Sequence, residues 1–243
     1  PFYTVINNDA LKITRREISK VDFFLTTTGS EPDDVFHKPI LVNDNNSWDG
    51  RVSHLKYFVR RDFDFSNRYA KNIFEENKVK IESAGVDLEI FEKVKILFDH
   101  FVKKMVYVAD PRSSVERVQF PAETIDLKGG DCDDLSVLFS SLLESVGIQT
   151  AFVDYKNEDG ISHVNLLVNT QLKPEQSNLI TNNDKKIFIR KNEKGEDEIW
   201  IPLETTSLTN FDTAWTVATE KFNKEAIEEL GLAKGKIQII DIK

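Results

Sequence analysis

The chain is poor in residues that make covalent or metal cross-links, with one cysteine and four histidines in 243 residues. A single thiol excludes an internal disulfide and a thiolate-rich zinc centre. No segment approaches the roughly 20 apolar residues that cross a bilayer, so no membrane span is expected. The chain opens on Pro1 without a charged-then-apolar leader, which leaves an upstream signal or anchor open. Positive charge is scarce as well: 32 Lys and Arg against 41 Asp and Glu leave a net charge of −9. The basic residues are interleaved with acidic ones, so no cationic patch can neutralise a phosphate backbone, and nucleic acid is not an expected partner. Internal repeats and low-complexity tracts are absent.

What is present has the grammar of an α+β protein, in which helices come first and an antiparallel sheet follows. Residues 1–60 mix β-prone runs ("FYTVI", "ALKITRREI", "VDFFLTT") with turn formers and are expected to form a small strand-rich region. Residues 61–243 are expected to form the main domain. There "NRYAKNIFEEN" and "LEIFEKVKILFDHFVKKMVYV" predict helices, the second with Phe91, Val94, Leu97, Phe98 and Phe101 on one face. Leu135, Leu138, Phe139, Leu142, Leu143 and Val146 define a further amphipathic helix ending at Gly147. Beyond it, "TAFVDY" with "SHVNLLVN" and "KKIFIRK" with "EIWIPL" predict two hairpins. A late helix, "FDTAWTVATEKFNKEAIEELG", and a strand, "KIQIID", close the chain.

The single cysteine lies in "LKGGDCDDLSVLFSSLLESVG", where a loop becomes that amphipathic helix. Asp131 stands at the N-cap, with Asp134 three residues on, so Cys132 falls in the first turn. Unpaired N–H groups and the macrodipole at a helix start favour a thiolate, while Asp131, Asp133 and Asp134 oppose it unless they point away. Gly129 and Gly130 would let a substrate approach the backbone, and their amides with that of Cys132 could hold an oxyanion. The competing reading is a small buried hydrophobe, the ordinary fate of a lone cysteine.

A nucleophilic thiol needs a base and a group that orients the base. His37 lies in a polar stretch, His100 on a helix face, and His54 is undecided. His163 opens the apolar strand "HVNLLVN" after a tight turn, where it could reach a facing helix start. Glu204, in "WIPLETT", is a carboxylate in an apolar setting and must find a partner there or remain at a solvated strand end.

The segments "FPAETIDLKGGDCDDLSVLFSSLLESVGIQTAFV", "GISHVNLLV" and "EIWIPLETT" together resemble the transglutaminase-like superfamily, whose core is a papain-type fold. The family pattern is G-D-C at a helix start, a strand-borne His, and an acid after a Trp-containing strand; Cys132, His163 and Glu204 occupy those positions in order. The third position is more often Asp, so Glu204 departs by one methylene. The resemblance implies a Cys-His-Glu triad working through a thioester on a peptide or side-chain amide, with Gln119 as a possible oxyanion donor. It also leaves open a non-catalytic peptide-binding module and an amine-accepting acyl transferase. A protein or peptide substrate is the implied partner, and no cofactor or metal is required. Calcium at Asp131, Asp133 and Asp134 is weighed against simple helix capping. Relatives of this kind are often exported, which favours an envelope location while leaving the cytoplasm open.

Overall fold

The computed structural model describes residues 17–29, 34–61, 64–109, 116–156, 163–192 and 194–242. The run "FYTVI" and the start of "ALKITRREI" lie outside them. Residues up to Trp48, with a short return at 116–117, form one compact unit, and those from Asp49 onward form another.

The first unit is built on a hairpin of β1 (Glu17–Leu25) and β2 (Asp34–Val42), antiparallel, with Phe23 opposite Phe36 and Asp22 opposite His37. Its β-branched and aromatic content suits a pleated strand. Both faces carry exposed apolar side chains, among them Ile18, Phe24 and Leu41 on one and Phe23 and Phe36 on the other.

The second unit begins with a 3₁₀ segment, Val52–Tyr57. Residues 49–60, assigned to the N-terminal region on sequence, pack here because Val52, Leu55 and Phe58 are buried. Helices α1 (Asp64–Glu76), α2 (Lys78–Ser83) and α3 (Glu89–Val102) follow. The sequence pattern carried α3 on through "MVYV", but the helix stops at Val102, and Val106–Tyr107 instead form the short strand β3. Valine and tyrosine favour that extended backbone. α4 (Pro121–Leu127) has proline at its first position, where its missing N–H costs no helical bond. β4 (Gly129–Gly130) then pairs in parallel with β3, and α5 (Cys132–Glu144) starts directly after it.

Behind these helices lies a sheet of five antiparallel strands: β5 (Thr150–Tyr155), β6 (His163–Asn169), β7 (Phe188–Lys191), β8 (Asp197–Leu203) and β9 (Ile237–Asp241). Their spatial order is β7-β8-β6-β5-β9, so β6 is central and β5 and β8 flank it. The alternation of side chains along each strand divides the sheet between two cores. One face packs on α5, whose Leu135, Leu138, Phe139 and Leu142 are fully buried. There Phe139 meets Phe98 and Phe101 of α3 at ring distances of 5.2 and 5.3 Å. The other face sets Ala151, Val153, Tyr155, Leu167 and Trp200 against Phe222 and Ala226. Those two residues follow α6 (Phe211–Lys221), where the predicted late helix widens into a π-helical stretch, Phe222–Glu228. The architecture is α+β, with the cysteine-bearing helix packed on an antiparallel sheet.

Candidate active site

α5 is held in place at both ends. At its start the Asp131 carboxylate accepts from the amides of Asp133 and Asp134, and the Asp134 carboxylate accepts from the amides of Gln119 (2.7 Å) and Asp131 (3.4 Å). This is a capping box in which aspartate takes the place of the usual Glu or Gln. At the far end Glu144 accepts from the amide and hydroxyl of Thr150 on β5. Midway, the buried hydroxyls of Ser136 and Thr205 bond at 2.8 Å, tying the helix to the segment just after β8. The helix start and the end of β8 are therefore registered with each other, as a site shared between them requires.

The two glycines before Cys132 serve close packing. A Cβ on Gly129 would lie 2.7 Å from the Val106 carbonyl oxygen, and one on Gly130 would lie 2.5 Å from Asp134 Cβ. Both glycines are buried, so the expected substrate approach to their backbone is replaced by the β3–β4 pairing and the capping aspartate.

Of the three residues singled out on sequence, His163 and Glu204 meet directly: Nε2 lies 2.7 Å from Oε2, across 41 positions of chain. Glu204 is only 5% exposed, and its other oxygen accepts from the Thr206 amide (3.1 Å) and hydroxyl (2.6 Å). Burial alone would raise this carboxyl. The His163 hydrogen bond and charge, together with the two Thr206 donors, outweigh burial and hold it below the usual carboxylate range. With Glu204 ionised, the bond is one in which Nε2–H donates to Oε2. Cys132 lies near the strand that carries this imidazole, since the backbone N–H of Val164, the next residue, acts on its thiol to favour the thiolate.

The thiol itself departs from expectation. Burial pushes Cys132 far up, and the charges of Asp133 and Asp131 push it further, with only the Val164 amide acting the other way. The sequence reading allowed a lowered value if the carboxylates pointed away. Asp133 does not: its Oδ1 sits 3.5 Å from Sγ. Asp133 is itself 6% exposed and lies well above the usual carboxylate range, first through burial and then through the neighbouring Asp131 and Asp134.

The remaining sequence candidates are distributed as follows. Gln119 is half-buried beside α5; its main chain is fixed on Asp134, and its Oε1 is buried without a hydrogen-bond partner among the described residues. Asp131, Cys132 and Asp133 place potential ligand atoms within 4.8 Å of one another, while Asp131 and Asp134 already engage backbone amides as caps. His37 pairs with Asp22, His54 pairs with Asp49, and His100 packs edge-on to Tyr69. A groove of about 690 Å³ among α1, α2 and α3, lined by Lys71, Phe74, Ile81, Val86 and Lys93, contains none of the three site residues.

Two neighbours of the site were not found on sequence. Tyr107 of β3 lies opposite Gly130, and its phenol is raised first by partial burial and then by Cys132, Asp131, Asp133 and Glu204. The helical pattern assigned to "MVYV" concealed it. Asn165 follows His163 by two residues, hence on the same strand face, and contacts both His163 and Glu204. That alternation was available in the sequence.

A family model of the transglutaminase-like superfamily matches residues 75–170. Among curated proteins none matches significantly. Three solved structures are similar. A candidate protease from Parabacteroides distasonis ATCC 8503 has 12% identity and a TM-score of 0.36, covering 64% of this chain and 36% of its own. A candidate cysteine protease from Cytophaga hutchinsonii has 12% identity and a TM-score of 0.34, covering 81% of this chain and 66% of its own. LapG of Legionella pneumophila, EGTA-treated, has 15% identity and a TM-score of 0.30, covering 64% of this chain and 95% of its own. The chain thus spans less than two thirds of the length of the first two. The matched stretch, residues 75–170, includes Cys132 and His163 and stops short of Glu204, and over that stretch the chain is similar to the transglutaminase-like superfamily.

Proposed function

We propose that this protein is a cysteine hydrolase that cleaves a peptide or side-chain amide with Cys132 as nucleophile, His163 as general base and acid, and Glu204 as the group that orients His163. The observation that carries the reading is the 2.7 Å bond between His163 Nε2 and a buried, ionised Glu204.

Because burial and acidic neighbours hold the thiol protonated, the reaction starts from a neutral thiol, whose proton must leave as the sulfur attacks. Sγ attacks the carbonyl carbon as Nδ1 of His163 removes its proton. The tetrahedral oxyanion then collapses, the C–N bond breaks, and the imidazolium protonates the departing amine. This leaves a thioester. Water, deprotonated by the same Nδ1, attacks the thioester carbonyl, and the C–S bond breaks to release the acid and regenerate the thiol. Atoms balance with substrate and water alone, and the backbone N–H of Cys132 is the oxyanion donor this reading assigns.

Screening a peptide library with the wild type and Cys132→Ala tests this directly: cleavage by the wild type and none by the variant is expected. With iodoacetamide, His163→Ala should slow alkylation of the lone thiol about tenfold or more near neutral pH, the usual range for loss of a general base. Full cleavage by Cys132→Ala, or alkylation indifferent to His163, would overturn the proposal.

A second reading is favoured by one feature, the protonated, mostly buried state of Cys132 beside Asp133. In that reading the same cleft grips a peptide without cutting it. Saturable peptide binding with no acyl-enzyme mass in either protein would select it.

A further inference from the structure

We propose that Asn165 is a positioning residue for the Glu204–His163 pair, its side-chain amide donating to Glu204 Oε2 and fixing the carboxylate in the orientation that keeps the His163 proton on Nε2. The proposal rests on the catalytic reading of Cys132, His163 and Glu204 given above.

Asn165 is completely buried at the centre of the sheet, opposite Val153 of β5. With its amide nitrogen turned toward the acid, Nδ2 lies 2.7 Å from Glu204 Oε2, 2.8 Å from His163 Nε2 and 3.1 Å from the Val164 carbonyl oxygen. The hydrogen-bond network assigns this orientation, because the reverse would press an amide oxygen against a carboxylate oxygen. The amide oxygen then faces the Tyr155 side, where the buried phenol has no other partner among the described residues.

A carboxylate has about four lone-pair sites, and one buried this deeply is costly unless they are filled. On Oε1 the donors are the amide and hydroxyl of Thr206. On Oε2 they are His163 and, in this orientation, Asn165. Without Asn165, Oε2 has only the imidazole, and the acid can swing or take up a proton. A protonated Glu204 would donate to Nε2, shift the ring proton to Nδ1, and remove the base that the proposed mechanism assigns to that nitrogen. Around this carboxyl the titratable neighbours are His163 on β6, Tyr155 on β5 and Tyr107 on β3; at the start of α5, Cys132, Asp131 and Asp133 share Tyr107 as a neighbour.

The test is the rate of Cys132 alkylation by iodoacetamide, followed by intact mass between about pH 5 and 9, in the full chain as wild type, His163→Ala, Asn165→Leu and Asn165→Asp. Thermal melts establish folding. Asn165→Leu keeps the volume and removes the donor. Its acid limb should move up by about one pH unit, so that the rate at a fixed pH on that limb falls about tenfold, as expected for a lost hydrogen bond to a charged group. In Asn165→Asp a shared proton can replace the amide donor, so the acidic end should resemble wild type and the rate should fall as the second carboxyl ionises. That conservative rescue is one a purely space-filling role would not produce. A wild-type profile in Asn165→Leu, where the wild-type rate still requires His163, overturns the proposal and leaves the functional reading intact. A wild-type rate indifferent to His163 removes both. If Asn165→Leu does not fold, Asn165→Asp decides: a profile matching wild type at every pH overturns the proposal.

Discussion

Glu204 and Asp133 are two carboxyls with nearly equal burial, 5% and 6% exposed, at opposite walls of one site, and they behave in opposite ways. Glu204 is surrounded by donors from β6 and from the turn after β8, and it stays ionised. Asp133 has Asp131 and Asp134 as neighbours in the first turn of α5, and it is driven toward the neutral acid. Burial depth is therefore not what sets charge here; the partners decide the sign. In the proposed mechanism this divides the labour: the sheet end holds the negative charge that would orient His163, and the helix start suppresses charge beside the thiol.

Removing the donor-rich acid should have the largest effect. Glu204→Ala leaves His163 without its orienting partner, and turnover of any cleaved peptide should fall about 10³-fold or more, by analogy with loss of the acid in other triads. A loss smaller than tenfold, measured as kcat on the folded variant, would mean that the ring is held by something other than Glu204. Next is the packing that keeps the helix start in place. Gly130→Ala puts a Cβ 2.5 Å from that of Asp134 and 2.6 Å from its Oδ2, which displaces the carboxylate from the Gln119 and Asp131 amides. A cost of about 1–3 kcal/mol in a denaturant melt is expected, the range for overpacking. An unchanged midpoint would show that Asp134 yields freely.

Asp133→Asn probes the other wall. In the wild type this group is neutral through the acid range and gains charge only as pH climbs toward about 9, below the range in which the buried thiol itself ionises. The variant cannot gain it. Alkylation rates of wild type and Asp133→Asn should coincide near pH 6 and diverge to about tenfold by pH 9, with the variant faster. Stability follows the same logic with its sign worked out. The folded-state value of Asp133 is raised, so its contribution is present at low pH and is lost as pH rises through that value. The folded-state value of Glu204 is lowered, so its contribution is present at neutral pH and is lost as pH falls through that value. Melting temperatures across pH should fall on both sides, and Asp133→Asn should flatten the alkaline side alone.

The difference between the two acids also marks what could be read from residues in order. Helix α5 was legible because Leu135, Leu138, Phe139 and Leu142 repeat at helical spacing and Asp131 caps them. The sheet strands were legible from their alternation, and Glu204 stood out as a carboxylate in an apolar strand end. Local pattern could not tell which way Asp133 points, because consecutive residues in a first turn diverge and their directions depend on what packs above them. Nor could it locate the end of α3, since "KKMVYV" continues a helical rhythm until β4 offers Val106 and Tyr107 a strand partner. The apolar hairpin β1–β2 had the right composition for strands, but composition does not say what, if anything, covers its faces.

The smallest expected effect separates the two oxygens of Glu204. Thr206→Val removes the hydroxyl that donates to Oε1 at 2.6 Å and leaves the backbone amide at 3.1 Å in place. Thr206 is half-buried, so water can take over part of the lost contact, whereas Asn165 is fully buried and water cannot replace it easily. The acid limb of the alkylation profile should therefore rise by less than about half a pH unit in Thr206→Val, against about one in Asn165→Leu. If Thr206→Val shifted the limb further than Asn165→Leu, the weight of orientation would lie on Oε1 and the turn after β8. The donor that matters would then be the one farthest from the imidazole, and the sheet end would fix Glu204 through its backbone and not through the strand that carries His163.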